Sequence, residues 1–211
     1  RATRAEGTRP PGASGGRIYP LFGLGRTPPI PLPLPSPPSP YTAPMRIRRL
    51  APDDWLAYRE IRLRALETDP DAFGATIAEA RTRPDEVWRD RLAKRDVATI
   101  VVEDDDGSPL GMATGAPAAE RPGVAGLYAM WVEPGSRGQG FGMALVRWIQ
   151  AWAGDAGYPT IELGVATTNG AARRLYERAG FEPTGELHRL RDDGDLEFEM
   201  MTMSLAGPAE S

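Results

Sequence analysis

L-Y-A-M-W-V-E-P-G-S-R-G-Q-G-F-G-M, residues Leu127 to Met143, is the stretch from which the fold is read. An apolar run of strand type meets Pro134, then a glycine-rich turn, then the start of an amphipathic helix. Gly138, Gly140 and Gly142 leave backbone N–H groups uncovered and let an anion come close to the main chain. The helix that follows points its positive end and its unpaired first-turn donors at the same spot. Arg137 adds a full positive charge at the rim. Together these features describe a phosphate cradle.

Downstream, Asn169 to Phe181 reads N-G-A-A-R-R-L-Y-E-R-A-G-F, an N-x-x-A-x-x-L-Y-x-x-x-G-F pattern. Taken with R-G-Q-G-F-G after a strand that ends in V-x-P, it resembles the GNAT superfamily of acetyl-CoA-dependent N-acetyltransferases. The resemblance runs from Met45 to about Leu205 in the order that family uses. It implies an α/β (α+β) fold with a central mixed, mostly antiparallel sheet and helices on both faces. It also implies acetyl-CoA as co-substrate and roles for particular residues. The backbone of Arg137, Gly138, Gln139, Gly140, Phe141, Gly142 and Met143 would hold the pyrophosphate. The strand carrying Met130, Trp131 and Val132 would splay from its neighbour and pair with pantetheine, one freed N–H facing the thioester carbonyl as an oxyanion hole does. Tyr176 would protonate the departing thiolate. Asn169 would contact the pantetheine or phosphate arm besides capping its helix.

Other readings of these motifs are weaker. A Rossmann dinucleotide site wants G-x-G-x-x-G after the first strand of a βαβ unit. Here the spacing is G-x-G-x-G and the turn comes late in the chain. Tyr176, beside Leu175 and Ala172 at helical spacing, would otherwise be core packing with its hydroxyl at a polar edge. A non-catalytic acyl-CoA-binding module would have no use for a tyrosine there. Ribosomal-protein and N-terminal acetyltransferases of the superfamily often carry a glutamate five residues before the asparagine, and that position is Gly164. A small-molecule amine is therefore the expected acceptor, with a protein or peptide amine as the alternative. The amine must lose a proton before it attacks. Glu133, Glu162, Tyr128 or a water chain to a buried carboxylate are all open as the base.

Composition sets the bounds. Of the 22 prolines, 12 fall in the first 44 residues, which hold five arginines against one acid and the run P-L-P-L-P-S-P-P-S-P. Residues 1–44 are expected to be a disordered or polyproline-like leader upstream of a functional start at Met45, and 206–211 a flexible tail. Residues 45–211 carry 20 basic and 28 acidic side chains, a net charge of −8. An acidic domain without a basic stripe argues against nucleic acid and suits a cationic amine. No apolar run approaches the ~18 residues of a membrane span. The chain has no cysteine and hence no thiolate nucleophile, disulfide or sulfur metal site. A single histidine, His188, gives no ligating pair, so no metal is expected. The expectation is a cytoplasmic enzyme on which the amine attacks acetyl-CoA directly in a ternary complex, with edge strands leaving a homodimer open.

Periodicity gives the element order β-α-α-β-β-β-α-β-α-β-β. Strands are expected at Met45–Leu50, Val97–Glu103, Pro109–Gly115, Val124–Val132, Thr160–Val165, Pro183–Leu187 and Leu196–Leu205. Helices are expected from Pro52 to about Glu67, over Pro84–Lys94, Gly140–Gly154 and Gly170–Ala179, with a loop over Phe73–Glu79.

Overall fold

The computed structural model describes residues 46–191 and 194–205. The leader and tail expected at 1–44 and 206–211 lie outside the described residues. One seven-stranded sheet runs through the domain in the order β1-β2-β3-β4-β5-β7-β6. Its strands are β1 (Arg46–Arg49), β2 (Ala98–Glu103), β3 (Pro109–Pro117), β4 (Val124–Val132), β5 (Thr160–Ala166), β6 (Glu182–Arg189) and β7 (Glu197–Ser204). Every neighbouring pair is antiparallel except β4 with β5, which is parallel. The helices are α1 (Trp55–Thr68), α2 (Ile77–Arg81), α3 (Asp85–Ala93), α4 (Phe141–Asp155) and α5 (Gly170–Arg178).

Two apolar layers sandwich the sheet. On one face, Phe141, Leu145, Val146, Ile149, Trp152 and Ala153 of α4 pack with Tyr176 of α5 against Ala125, Leu127, Ile161 and Leu163. The spacing of the α4 residues is the stripe that periodicity predicts. On the other face, Tyr58, Ile61, Ala65 and Leu66 of α1 and Trp88 and Leu92 of α3 cover Val101, Met112 and Trp131. The GNAT fold expected from the motifs is the fold observed.

One element departs from the expectation. Within the supposed loop at Phe73–Glu79 a short helix, α2, begins at Ile77. Its start is a reciprocal cap: Glu79 N–H donates to Thr76 Oγ1 at 3.2 Å, and Thr76 N–H donates to Glu79 Oε2 at 2.8 Å. T-x-x-E is the sequence signature of that arrangement. The weak apolar periodicity of so short a helix hid it. Thr76→Ala removes one of the two capping bonds and should lower the unfolding free energy by about 1 kcal/mol in urea titration.

Candidate active site

The parallel contact between β4 and β5 is short. Val124, Ala125 and Gly126 pair with Thr160, Ile161 and Glu162, and no pairing follows. Beyond that point β4 continues along β3 while β5 continues along β7. The two strands part where the chain bulges. The β3–β4 register jumps between Met112 and Thr114, and Ala129 stands at φ 52°, the left-handed region, which costs an alanine roughly 1–3 kcal/mol. The extra residue reverses the facing of β4. Ala125 and Leu127 belong to the α4-side layer, and after the bulge Met130 and Val132 do, while Trp131 turns to the α1 side.

Main-chain direction follows from the same count. Glu133 N–H donates to Leu110 O of β3 at 2.8 Å. Alternation then turns Trp131 toward β3 as well, and points the main-chain groups of Met130 and the N–H of Val132 into the opening, the Val132 C=O being taken by Arg137. Of the three strand residues singled out in the sequence, Met130 and Val132 line the opening with backbone. Trp131 pairs with Met112 and sends its side chain, 4% exposed, into the opposite layer.

The glycine turn lies at the mouth of this opening. Gly138 and Gly140 have φ of 80° and 89°, which only glycine adopts without strain. Gly140 is the N-cap of α4 and no side chain caps that end, so the first-turn donors of Phe141, Gly142 and Met143 face outward. Phe141, buried, anchors the turn to the core. Gln139 lies along the turn with its amide 3.5 Å from Gly135 O. Gly142 has a packing reason as well: a Cβ there would meet Leu175 of α5 at 3.0 Å.

Arg137 is not a free charge at the rim. Its Nε donates to Val132 O at 2.9 Å and its Nη2 to Asp69 Oδ2 at 2.5 Å. The same Asp69 oxygen accepts from Trp131 Nε1 at 2.7 Å. Asp69, just past the end of α1, thus ties the turn and the end of β4 to the helix layer behind them. Nothing local in the sequence marks it beyond the Asp-Pro that ends α1.

Asn169 caps α5, its Oδ1 accepting from Ala172 N–H at 3.0 Å. Two turns on, Tyr176 is 6% exposed and meets Phe181 edge-on at 6.1 Å. Burial pushes its phenol well above the usual value, so the ring stays protonated at neutral pH. Its neighbour Leu175 is the side chain that packs on Gly142, which sets Tyr176 beside the start of α4.

On the opposite face of the fork stands Glu162, 9% exposed and paired with Gly126 at the last rung before the strands part. Burial raises its pKa, Arg121 opposes the rise, and Glu186 and Glu120 add to it. Arg121 Nη1 lies 3.5 Å from Glu162 Oε2, an ion pair without hydrogen-bond geometry, and its Nη2 is 2.5 Å from Glu186 Oε2. Glu162 Oε2 is otherwise without a partner among the described residues. The Tyr128 ring folds over Gly126, where a Cβ would sit 2.3 Å from the hydroxyl. Gly164, on the same face as Glu162, is covered by Phe198, whose ring would lie 2.5 Å from a Cβ. His188 stacks on that ring at 5.4 Å. Glu133, another carboxylate singled out in the sequence, is paired with Arg64 at 3.1 Å.

Comparison with known proteins places the chain in a family. Residues 55–181 match the Acetyltransferase (GNAT) family, and the chain belongs to that family. It is 32% identical over 130 residues to a mycothiol acetyltransferase of Beutenbergia cavernae, covering 61% of this chain and 40% of the relative. The chain therefore spans less than half the length of that relative. Among solved structures, a GCN5-related N-acetyltransferase from Kribbella flavida is 25% identical with a TM-score of 0.62, over 76% of this chain and 97% of the other. A protein from Salmonella typhimurium, solved with its cofactor acetyl-CoA, shares the fold at 23% identity and a TM-score of 0.64, over 80% and 98% of the two chains.

Asp69→Ala leaves the buried Trp131 N–H without an acceptor and releases Arg137. It should lower stability by about 1–3 kcal/mol in chemical denaturation. Isothermal calorimetry should also show weaker acetyl-CoA binding, because the turn loses its tie to α1.

Proposed function

We propose that the chain is an acetyl-CoA-dependent N-acetyltransferase acting on the primary amine of a small molecule. The observation that carries this reading is the opening between β4 and β5, with unpaired strand backbone along one wall and the uncapped start of α4 at its mouth. The residues present fit the co-substrate. The turn is left-handed at Gly138 and Gly140, a Cβ at Gly138 would meet nothing within 4 Å, and the α4 donors complete an oxyanion seat. Gly138, Gln139, Gly140, Phe141, Gly142 and Met143 would hold the pyrophosphate. Met130 and Val132 would pair with pantetheine, Asn169 would close the far side, and Arg137 and Trp131 would brace the turn from behind. Acetyl-CoA supplies an acetyl group as a thioester, whose C–S bond breaks as the new C–N bond forms.

The chain's own groups manage the protons. Glu162 takes one from the incoming ammonium, and its raised pKa makes it a stronger base than an ordinary carboxylate. Tyr176 gives its phenolic proton to the leaving sulfur and regains one from the amine nitrogen that has attacked. With no cysteine in the chain, transfer is direct rather than through an acyl-enzyme. The small-molecule acceptor is supported by Phe198 lying over Gly164, which narrows the face beside the fork, and by the name of the Beutenbergia relative.

Calorimetry with acetyl-CoA and NADH tests the co-substrate, and binding of NADH alone would sink the reading. Tyr176→Phe should keep acetyl-CoA affinity and slow turnover by on the order of 10²–10⁴-fold, whereas a mere packing role predicts unchanged turnover. Methylamine and hydroxylamine test Glu162, since both are small enough for any acceptor site and only the first is protonated near neutrality. Glu162→Gln should depress methylamine acetylation by ~10²-fold or more and spare hydroxylamine. Equal loss on both amines, or none on methylamine, removes Glu162 from the role of base. In the wild type, methylamine turnover should fall as pH drops through a window above the usual carboxylate range, as Glu162 protonates.

A further inference from the structure

Helices α1 and α3 carry a group of arginines, Arg59, Arg62 and Arg91, that no carboxylate among the described residues answers. Five buried side-chain polar atoms lack a partner among the described residues, and four of them are N–H donors on these two helices: Arg59 Nε, Arg62 Nη1, Trp88 Nε1 and Arg91 Nε. The fifth is the Glu162 oxygen on the other side of the fork. The domain as a whole is acidic, so the grouping is not a by-product of basic composition. The donors belong to one neighbourhood. Arg62 feels the charges of Arg91 and Arg83, Tyr58 meets Trp88 edge-on at 5.6 Å, and the Arg83 guanidinium lies 5.9 Å from the Trp88 ring. Arg59 precedes Arg62 by one turn of α1. Glu79 feels the charge of Arg83, but its Oε2 accepts from the Thr76 N–H.

Unpaired buried donors and crowded like charges both oppose folding, and both are relieved by a ligand that only accepts hydrogen bonds and carries negative charge. Arginine forks match the oxygens of carboxylate and phosphate groups. We propose that α1 and α3 hold a second binding site, for the oxyanion of a small molecule, taken between Arg59, Arg62 and Arg91 with Trp88 Nε1 as a fourth donor. Burial draws the Arg62 guanidinium down to about 10, as a cation without a counter-ion is drawn down, and a bound oxyanion reverses that pull. The site lies on the α1 side of the sheet, away from the α4 cradle. Arg62 also rests over the Phe73 ring at 4.3 Å, and the Phe73 carbonyl accepts from Arg191 Nη2 at 2.9 Å. The oxyanion therefore sits against the α1–α2 connection, at the point where the β6–β7 connection is fastened to it.

Calorimetric titration of inorganic phosphate and of malonate, at constant ionic strength, tests the site with and without saturating coenzyme A to fill the cradle. Wild-type protein should bind one of the two anions saturably in both conditions and melt higher with it, and which anion binds separates a phosphate ligand from a carboxylate ligand. Arg62→Met and, as a second variant at the helix edge, Arg91→Met should each weaken binding about tenfold or more. Arg147→Met, on the exposed face of α4, should leave it unchanged. Binding of neither anion, binding that survives both α1 and α3 substitutions, or a shift that chloride reproduces would mean an adventitious ion only and overturn the assignment.

Discussion

Two neighbouring strands that cease to pair set the terms for everything else in this domain. β4 and β5 share three residue pairs and then diverge, β4 staying with β3 through a bulge at Ala129. A buried strand edge with unmet backbone groups opposes folding unless something takes its hydrogen bonds. The arrangement therefore keeps an unpaired edge inside the molecule. The proposed pantetheine ladder, the seat at the start of α4 and the carboxylate at the last rung all take their positions from that one divergence.

The surroundings show how the opening is held in shape. Asp69 gathers Trp131, Arg137 and through Arg137 the Val132 carbonyl, so the end of β4 and the glycine turn move together with α1. Gln150 of α4 donates to Ala179 O at 2.9 Å and fixes the end of α5. Against this rigidity stand several groups that lower stability: an uncapped helix end, a left-handed alanine and a buried glutamate with one unmet oxygen. Such locally unfavourable choices gather where a site must be ready for a ligand.

Much of this was legible in the chain. The strand–turn–helix at Leu127 to Met143 and the Asn169–Phe181 pattern led to the fold and to its element order. Strong periodicity made α4 plain, and a five-residue helix with a polar face left only the cap at Thr76 and Glu79 as its trace. Charge was harder to read. Arg137 looked like a free cation because its partner, Asp69, is 68 residues away in sequence. The proposal of Glu162 over the other carboxylates likewise rests on the register that puts it at the fork and on the salt bridge that occupies Glu133. Pairings across a sheet are products of topology, and no local spacing encodes them. Gly164 could be seen as a missing glutamate. That an aromatic ring fills its place could not.

The sheet is also two machines with one joint. β1 to β4 form an antiparallel meander closed by neighbours in sequence, and β5, β6 and β7 form a second antiparallel group. Three parallel pairs are the whole of the ladder between them. A molecule lying in the gap as an extra strand would act as a splice, carrying load from one group to the other. Filling the site would then change the protein's elasticity as much as its chemistry, turning two hinged plates into one continuous sheet.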